Sequence, residues 1–153
     1  IDLRASGWRL DLPPITGTAG TAPATRSIAN QALLGGVLFS PVFQPSEDPC
    51  TGEGLSRLYG LYYKTGTAYP GPIIFGANPE EVNGEVKLRG LRYLDLGRGV
   101  AATPTIHSGA GTGPDRLSVF TQLSTGENNR ELVDTILPVR TGKLTWREQE
   151  FSD

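Results

Sequence analysis

At 153 residues the chain has room for one domain with a core of useful size, and too little for two ordinary ones. Gly and Pro supply 32 of those residues, about a fifth where ~12% is usual, which points to many turns. A 37% hydrophobic content is too high for wholesale disorder, and 14 Lys+Arg against 16 Asp+Glu, net −2, argue against a nucleic-acid partner held on a basic face.

The first predicted element is Trp8–Leu12, where Trp, Leu and Leu alternate with Arg and Asp as in a half-buried strand, and Pro13-Pro14 ends it. Residues 15–25 are small and of low complexity and read as a long loop. Ala32–Phe39 reads as two strands about Gly35-Gly36, a dipeptide suited to a tight hairpin because both positions tolerate positive φ. Further strands are expected at Arg57–Lys64, Pro72–Phe75, Val86–Leu96, Val100–Ile106, Arg116–Leu123, Glu131–Val139 and Leu144–Gln149. Residues 107–115, with three Gly and a Pro, form a second long loop. Neither loop ends in Gly-Lys-Ser/Thr or joins a strand to a helix, so neither reads as a phosphate cradle. No window of 12 or more residues keeps helical apolar spacing free of Gly or Pro. The best helical stretch, Glu127–Leu137, contains Val133, Thr135 and Ile136, which favour a strand equally. The expected class is all-β.

A weak internal repeat relates Trp8-Arg9-Leu10-Asp11-Leu12 to Arg92-Tyr93-Leu94-Asp95-Leu96, 84 residues on. Each copy leads into second and third strands (Ser27–Leu34 and Val37–Phe43; Val100–Ile106 and Leu117–Gln122), and the first copy into a fourth at Leu58–Lys64. Four short strands joined by Gly-rich turns are how a propeller blade reads in sequence. The expectation is a single all-β segment over 1–153, a partial β-propeller of about two four-stranded antiparallel blades with long Gly/Pro-rich loops. Two blades are too few to close a ring, so edge strands are left exposed, unless the two units pack as a small sandwich.

Several stretches occur in an order that carries a family likeness: Gly-Trp-Arg-Leu-Asp-Leu-Pro at 7–13, Gly-Gly-Val-Leu-Phe-Ser-Pro-Val-Phe-Gln-Pro-Ser-Glu-Asp-Pro-Cys at 35–50 and Arg-Leu-Tyr-Gly-Leu at 57–61. Gly-Arg-Gly-Val-Ala-Ala-Thr-Pro-Thr-Ile at 97–106, Leu-Ser-Val-Phe-Thr-Gln-Leu-Ser-Thr-Gly-Glu at 117–127 and Leu-Thr-Trp-Arg-Glu at 144–148 follow. In this succession the chain resembles the C-terminal β-propeller region of the PilY-type proteins of type IV pilus systems, large exported proteins with a variable N-terminal adhesive region. The resemblance implies a cell-surface, pilus-associated or outer-membrane and periplasmic location. The family's calcium site, an Asp-rich D-x-D-x-D-G loop, has no match here, so no cofactor and no metal ligand are carried over. An Arg-Gly-Asp triplet is absent, and the Leu-Tyr-Ala-Leu-Asp strand usual in such blades becomes Leu58-Tyr59-Gly60-Leu61-Tyr62.

Residues that could carry chemistry are few. Cys50 has no partner within the chain and is a free thiol or bonded elsewhere, with an inert, partly buried thiol the simpler reading. His107 follows a strand end with no nucleophile motif beside it; adjacent Ser108 would point to the opposite face, so a solvated loop residue is expected. Asn78, Glu80, Glu81, Asn83 and Glu85 collect oxygens without the alternate spacing of a calcium loop, and read as a solvated loop. Arg147-Glu148 reads as a surface ion pair. Trp8 and Trp146 are stacking platforms or, more simply, core and blade-interface residues. Tyr59, Tyr62, Tyr63 and Tyr69 form the aromatic cluster; Tyr59 and Tyr63 are expected on one strand face and Tyr62 on the other. Trp8, Tyr59, Tyr62, Tyr63 and Trp146 are thus the candidate protein-contact residues.

The expectation from sequence is a non-catalytic exported scaffold or adhesin segment, supporting pilus assembly, stabilisation or tip attachment through strand edges and loops. Its expected partners are pilins or minor pilins, an upstream part of the same protein, or further copies of itself. The absence of Met predicts that the chain is a fragment or processed product, and residues 1–20 lack a signal-peptide pattern, so any targeting segment would lie upstream or have been removed. No run approaches the ~18 apolar residues of a spanning helix. Two alternatives are a piece of a quinone-dependent propeller enzyme, which two Trp poorly support, and a carbohydrate-binding β-sandwich.

Overall fold

A computed structural model describes residues 7–48, 50, 53–70, 74–108 and 117–133. Among them there is no helix. Nine strands form: β1 (Ala32–Leu34), β2 (Val37–Pro45), β3 (Gly54–Tyr62), β4 (Ala77–Val82), β5 (Glu85–Gly90), β6 (Tyr93–Arg98), β7 (Thr105–Ser108), β8 (Leu117–Gln122) and β9 (Asn128–Leu132). They make three open antiparallel sheets: a four-stranded β1-β2-β3-β6, a two-stranded β4-β5 and a three-stranded β7-β8-β9. The all-β class is as expected.

The Gly35-Gly36 turn is present, with φ of 56° and 86°, the doubly left-handed geometry that closes a two-residue hairpin. From it β2 runs nine residues against all nine of β3, in register from Val37 opposite Tyr62 to Pro45 opposite Gly54. Pro41 and Pro45 are accommodated in β2 beside a third strand, β1, only three residues long, plus a single bridge from Arg26 to Phe43. On the far side β3 pairs with β6, and the register slips between Ser56 and Arg57 so that Leu96 is the extra residue.

Period-two alternation sorts the side chains of this sheet onto two faces. Val37, Phe39, Leu58 and Leu96 point one way and share a buried core with Ala101, Val119, Leu123 and Val133 from the stretch that carries the three-stranded sheet. Val42, Tyr59 and Leu61 point the other way, and Trp8, Leu10, Leu12 and Ile15 cover them. The expected strand at Trp8–Leu12 is therefore an extended strip laid across the sheet, part of none of the three sheets. Its alternation arises because every second side chain packs downward.

Four further expectations need correcting. The expected single strand Val86–Leu96 is two, β5 and β6, parted at Leu91-Arg92. Residues 78–85 are not a loop but most of a hairpin, turned at Asn83-Gly84 with φ of 55° and 81°. Val100–Ile106 is reduced to a bridge between Ala101 and Leu123 and the start of β7. At Pro72–Phe75, Ile74 and Phe75 are not in a strand, and Phe75 turns into the core edge-on to Phe39. The Glu127–Leu137 ambiguity resolves as strand over Asn128–Leu132. The strand expected at Leu144–Gln149, and most of the 107–115 loop, lie outside the described residues.

Candidate interaction surface

The aromatic cluster gathers where β3 ends. Tyr62 is the last residue of the strand, and the turn after it swings the Tyr63 ring edge-on to Tyr62, 5.5 Å away, instead of onto the face of Tyr59. Tyr69 closes on Tyr62 from the next segment at 5.8 Å, and its hydroxyl donates to the Gly35 carbonyl at 3.0 Å. On the opposite face Trp8 donates its indole N–H to the Tyr63 carbonyl at 2.7 Å. Its ring lies against Gly66, whose φ of +66° and missing side chain make room for it. Tyr63 remains exposed, with the Lys64 ammonium 5.7 Å above its ring.

The five candidate contact residues thus separate. Tyr59 is only 2% exposed and packs within the chain, 5.5 Å from Tyr93. Trp8 and Tyr62 are half-buried, the one on the strip and the other against the main core. Tyr63 alone among the four described presents its ring to solvent, and Trp146, like Arg147-Glu148, lies outside the described residues.

Beside Tyr59 lies a charged contact between two strands of the sheet. Arg57 donates its Nε–H to Asp95 directly across the β3–β6 pairing at 2.6 Å and stacks its guanidinium 3.8 Å over the Tyr93 ring. The Arg57 side chain is 9% exposed and that of Asp95 60%, so a buried cation is held by a carboxylate that keeps its water. Burial pulls the Arg57 pKa down, but the hydrogen bond and charge of Asp95, together with Tyr59 and Tyr93, outweigh it and leave the guanidinium above its usual value. The pair ties β3 to β6.

A shallow cleft of about 370 Å³ opens at the other end of the β2–β3 hairpin, between Thr16, Gln44, Glu47, Glu53, Leu55 and Arg98. Arg98 reaches Glu53 at 3.6 Å, so its charges are mixed. The side chain of Gln44, 1% exposed, is the anchor of the strip: its Oε1 accepts from the backbone N–H of Ile15 and Thr16, and its Nε2 donates to the Thr16 carbonyl at 2.8 Å. Cys50 is exposed rather than partly buried, and its backbone N–H donates to Asp48 Oδ1 at 2.9 Å. His107 is exposed on β7, one residue before Ser108. Among the described residues no group of three or more His, Cys, Asp or Glu is placed to hold a metal ion.

The surface that sequence reading missed is the β4–β5 hairpin. Its register puts Asn78 with Arg89, Glu80 with Lys87 and Val82 with Glu85 on one face, where Arg89 pairs with Glu80 at 3.1 Å and Lys87 with Glu85 at 3.6 Å. The other face carries Pro79 opposite Leu88 and Glu81 opposite Val86, and Val86 and Leu88 are 72% and 69% exposed. Asn83-Gly84 between Val82 and Val86 was the available signal, hidden by Pro79 and the run of acids before it. A second exposed apolar surface lies on β8–β9, where Phe120 and Leu132 flank Arg130.

No protein-family model, curated protein or solved structure matches this chain. Among the described residues no helix is long and apolar enough to cross a membrane.

Proposed function

We propose that the chain is a non-catalytic scaffold or adhesin segment that works by protein–protein contact, as part of the C-terminal propeller of a PilY-type pilus protein, exported and pilus-associated, with no cofactor in this segment. The ordered motifs from Gly7 to Glu148 support the family. The topology supports the blade reading: β1-β2-β3-β6 is an up-and-down meander once the β4–β5 hairpin is taken as an insertion, and a second meander, β7-β8-β9, follows it and shares its core. The observation that carries the contact function is the β4–β5 hairpin, a protruding ribbon whose apolar face is left to solvent in a chain with open sheet edges.

The test is binding of the purified chain to pilins and minor pilins immobilised separately, alongside its own self-association. Saturable binding to one of them, lost on substituting surface residues of the ribbon, is the expected result. A chain that stays monomeric and binds no pilin overturns the proposal.

A further inference from the structure

The two exposed apolar surfaces are complementary. On the hairpin, Pro79, Val86 and Leu88 surround Glu81, which makes no ion pair among the described residues, whereas the other acids of the hairpin, Glu80 and Glu85, are paired. On β8–β9, Phe120 and Leu132 flank Arg130, whose guanidinium lies 5.8 Å from the Phe120 ring. Arg130 spends its Nε–H on Ser118 Oγ at 3.1 Å and makes no ion pair among the described residues. One surface is thus an apolar strip about a carboxylate, the other a face on which Phe120 and Leu132 stand with Ser118, Gln122 and Asn128 about a guanidinium, and neither charge has an ion pair among the described residues.

We propose that the β4–β5 hairpin of one copy docks on the outer face of β8–β9 of a second copy, with Glu81 meeting Arg130 and Val86 and Leu88 covering Phe120 and Leu132. The two patches are different parts of the surface, so two copies either close reciprocally, each hairpin on the other's receiving face, or add head-to-tail with one hairpin and one receiving face left free. Three aliphatic side chains cover on the order of 200–300 Å², well under the roughly 800 Å² per partner of a stable complex. The association is correspondingly weak and grows with concentration. This inference rests on the reading of the chain as a contact scaffold and specifies its surface.

Sedimentation velocity from about 10 µM to 1 mM, a range chosen to bracket weak association, tests it on the wild-type chain, Glu81→Arg, Arg130→Glu, the double reversal and Leu88→Ser. Wild type should gain mass with concentration, each single reversal and Leu88→Ser should remain monomeric with unchanged circular dichroism, and the double reversal should associate again. Should Arg130→Glu fail to fold, Glu81→Arg and Leu88→Ser still decide the matter. A wild-type chain monomeric throughout, or single reversals that associate as wild type does, overturns the inference. Pilin binding measured on the same variants separates the two claims. Binding retained without self-association sinks the inference alone, and self-association without pilin binding sinks the pilus partner alone.

Discussion

Replacing Gln44 tests whether one buried amide fastens the N-terminal strip. Gln44→Ala removes the acceptor for the Ile15 and Thr16 N–H groups and the donor to the Thr16 carbonyl, three hydrogen bonds at once. At about 1 kcal/mol net for each, less what water recovers at the exposed Thr16, the loss is about 2–3 kcal/mol. With a urea slope of about 2 kcal/mol/M the unfolding midpoint falls by about 1 M. Gln44→Met fills similar volume without the polar atoms and should lose nearly as much, which separates hydrogen bonding from packing. A Trp146→Phe background leaves Trp8 as the only indole, so its emission should move to the red and quench more readily when the strip loosens. A midpoint shift below about 0.3 M with unaltered Trp8 quenching would refute the assignment of Gln44 as the anchor.

Gly66→Ala adds a Cβ into the Trp8 indole at a residue with φ of +66° and should cost about 2 kcal/mol; in a Trp8→Ala background the same change should cost only the backbone strain, about 1 kcal/mol, by chemical denaturation. Thr121 is 1% exposed and its hydroxyl has no hydrogen-bond partner among the described residues, so Thr121→Val should raise stability by about 1 kcal/mol in a thermal melt. Glu131 lies on the inward face of β9 opposite Val119, and burial raises its pKa above the ordinary 4.5. The folded state therefore holds the proton more tightly than the unfolded one, and this contribution is present at low pH and lost as pH rises through the raised value. Relative to Glu131→Gln, wild type should lose stability from the ordinary carboxylate range upward, read from denaturation midpoints across pH; a flat difference contradicts the burial.

Hairpin chemistry was legible where composition left it visible. Gly35-Gly36 stood between clean apolar runs and marked its turn, whereas Asn83-Gly84 stood among acids with Pro79 upstream, and its strands are exposed on both faces, so burial wrote no alternation into them. At Trp8–Leu12 the alternation was real but answered a narrower question. Period two says which side chains face inward and leaves open whether the backbone joins a ladder. The register slip at Leu96 lies between residues that would continue an unbroken strand, and nothing local announces it. The contact surface was partly misplaced for a related reason. Aromatic content drew attention to Tyr59, which the fold buries under the strip, while Val86 and Leu88 became exposed only because the hairpin stands off the sheet.

The strip over Val42, Tyr59 and Leu61 has a mechanical consequence. Tension applied through Gly7 meets its attachments in succession, Trp8 at Tyr63 first and Ile15-Thr16 at Gln44 last, so they yield singly and at low force. The nine-residue pairing of β2 with β3, on which those anchors sit, does not have to part for the peel to proceed. Once Gln44 lets go, the chain from Gly7 is free as far as the bridge of Arg26 with Phe43, about twenty residues, roughly 60 Å when extended.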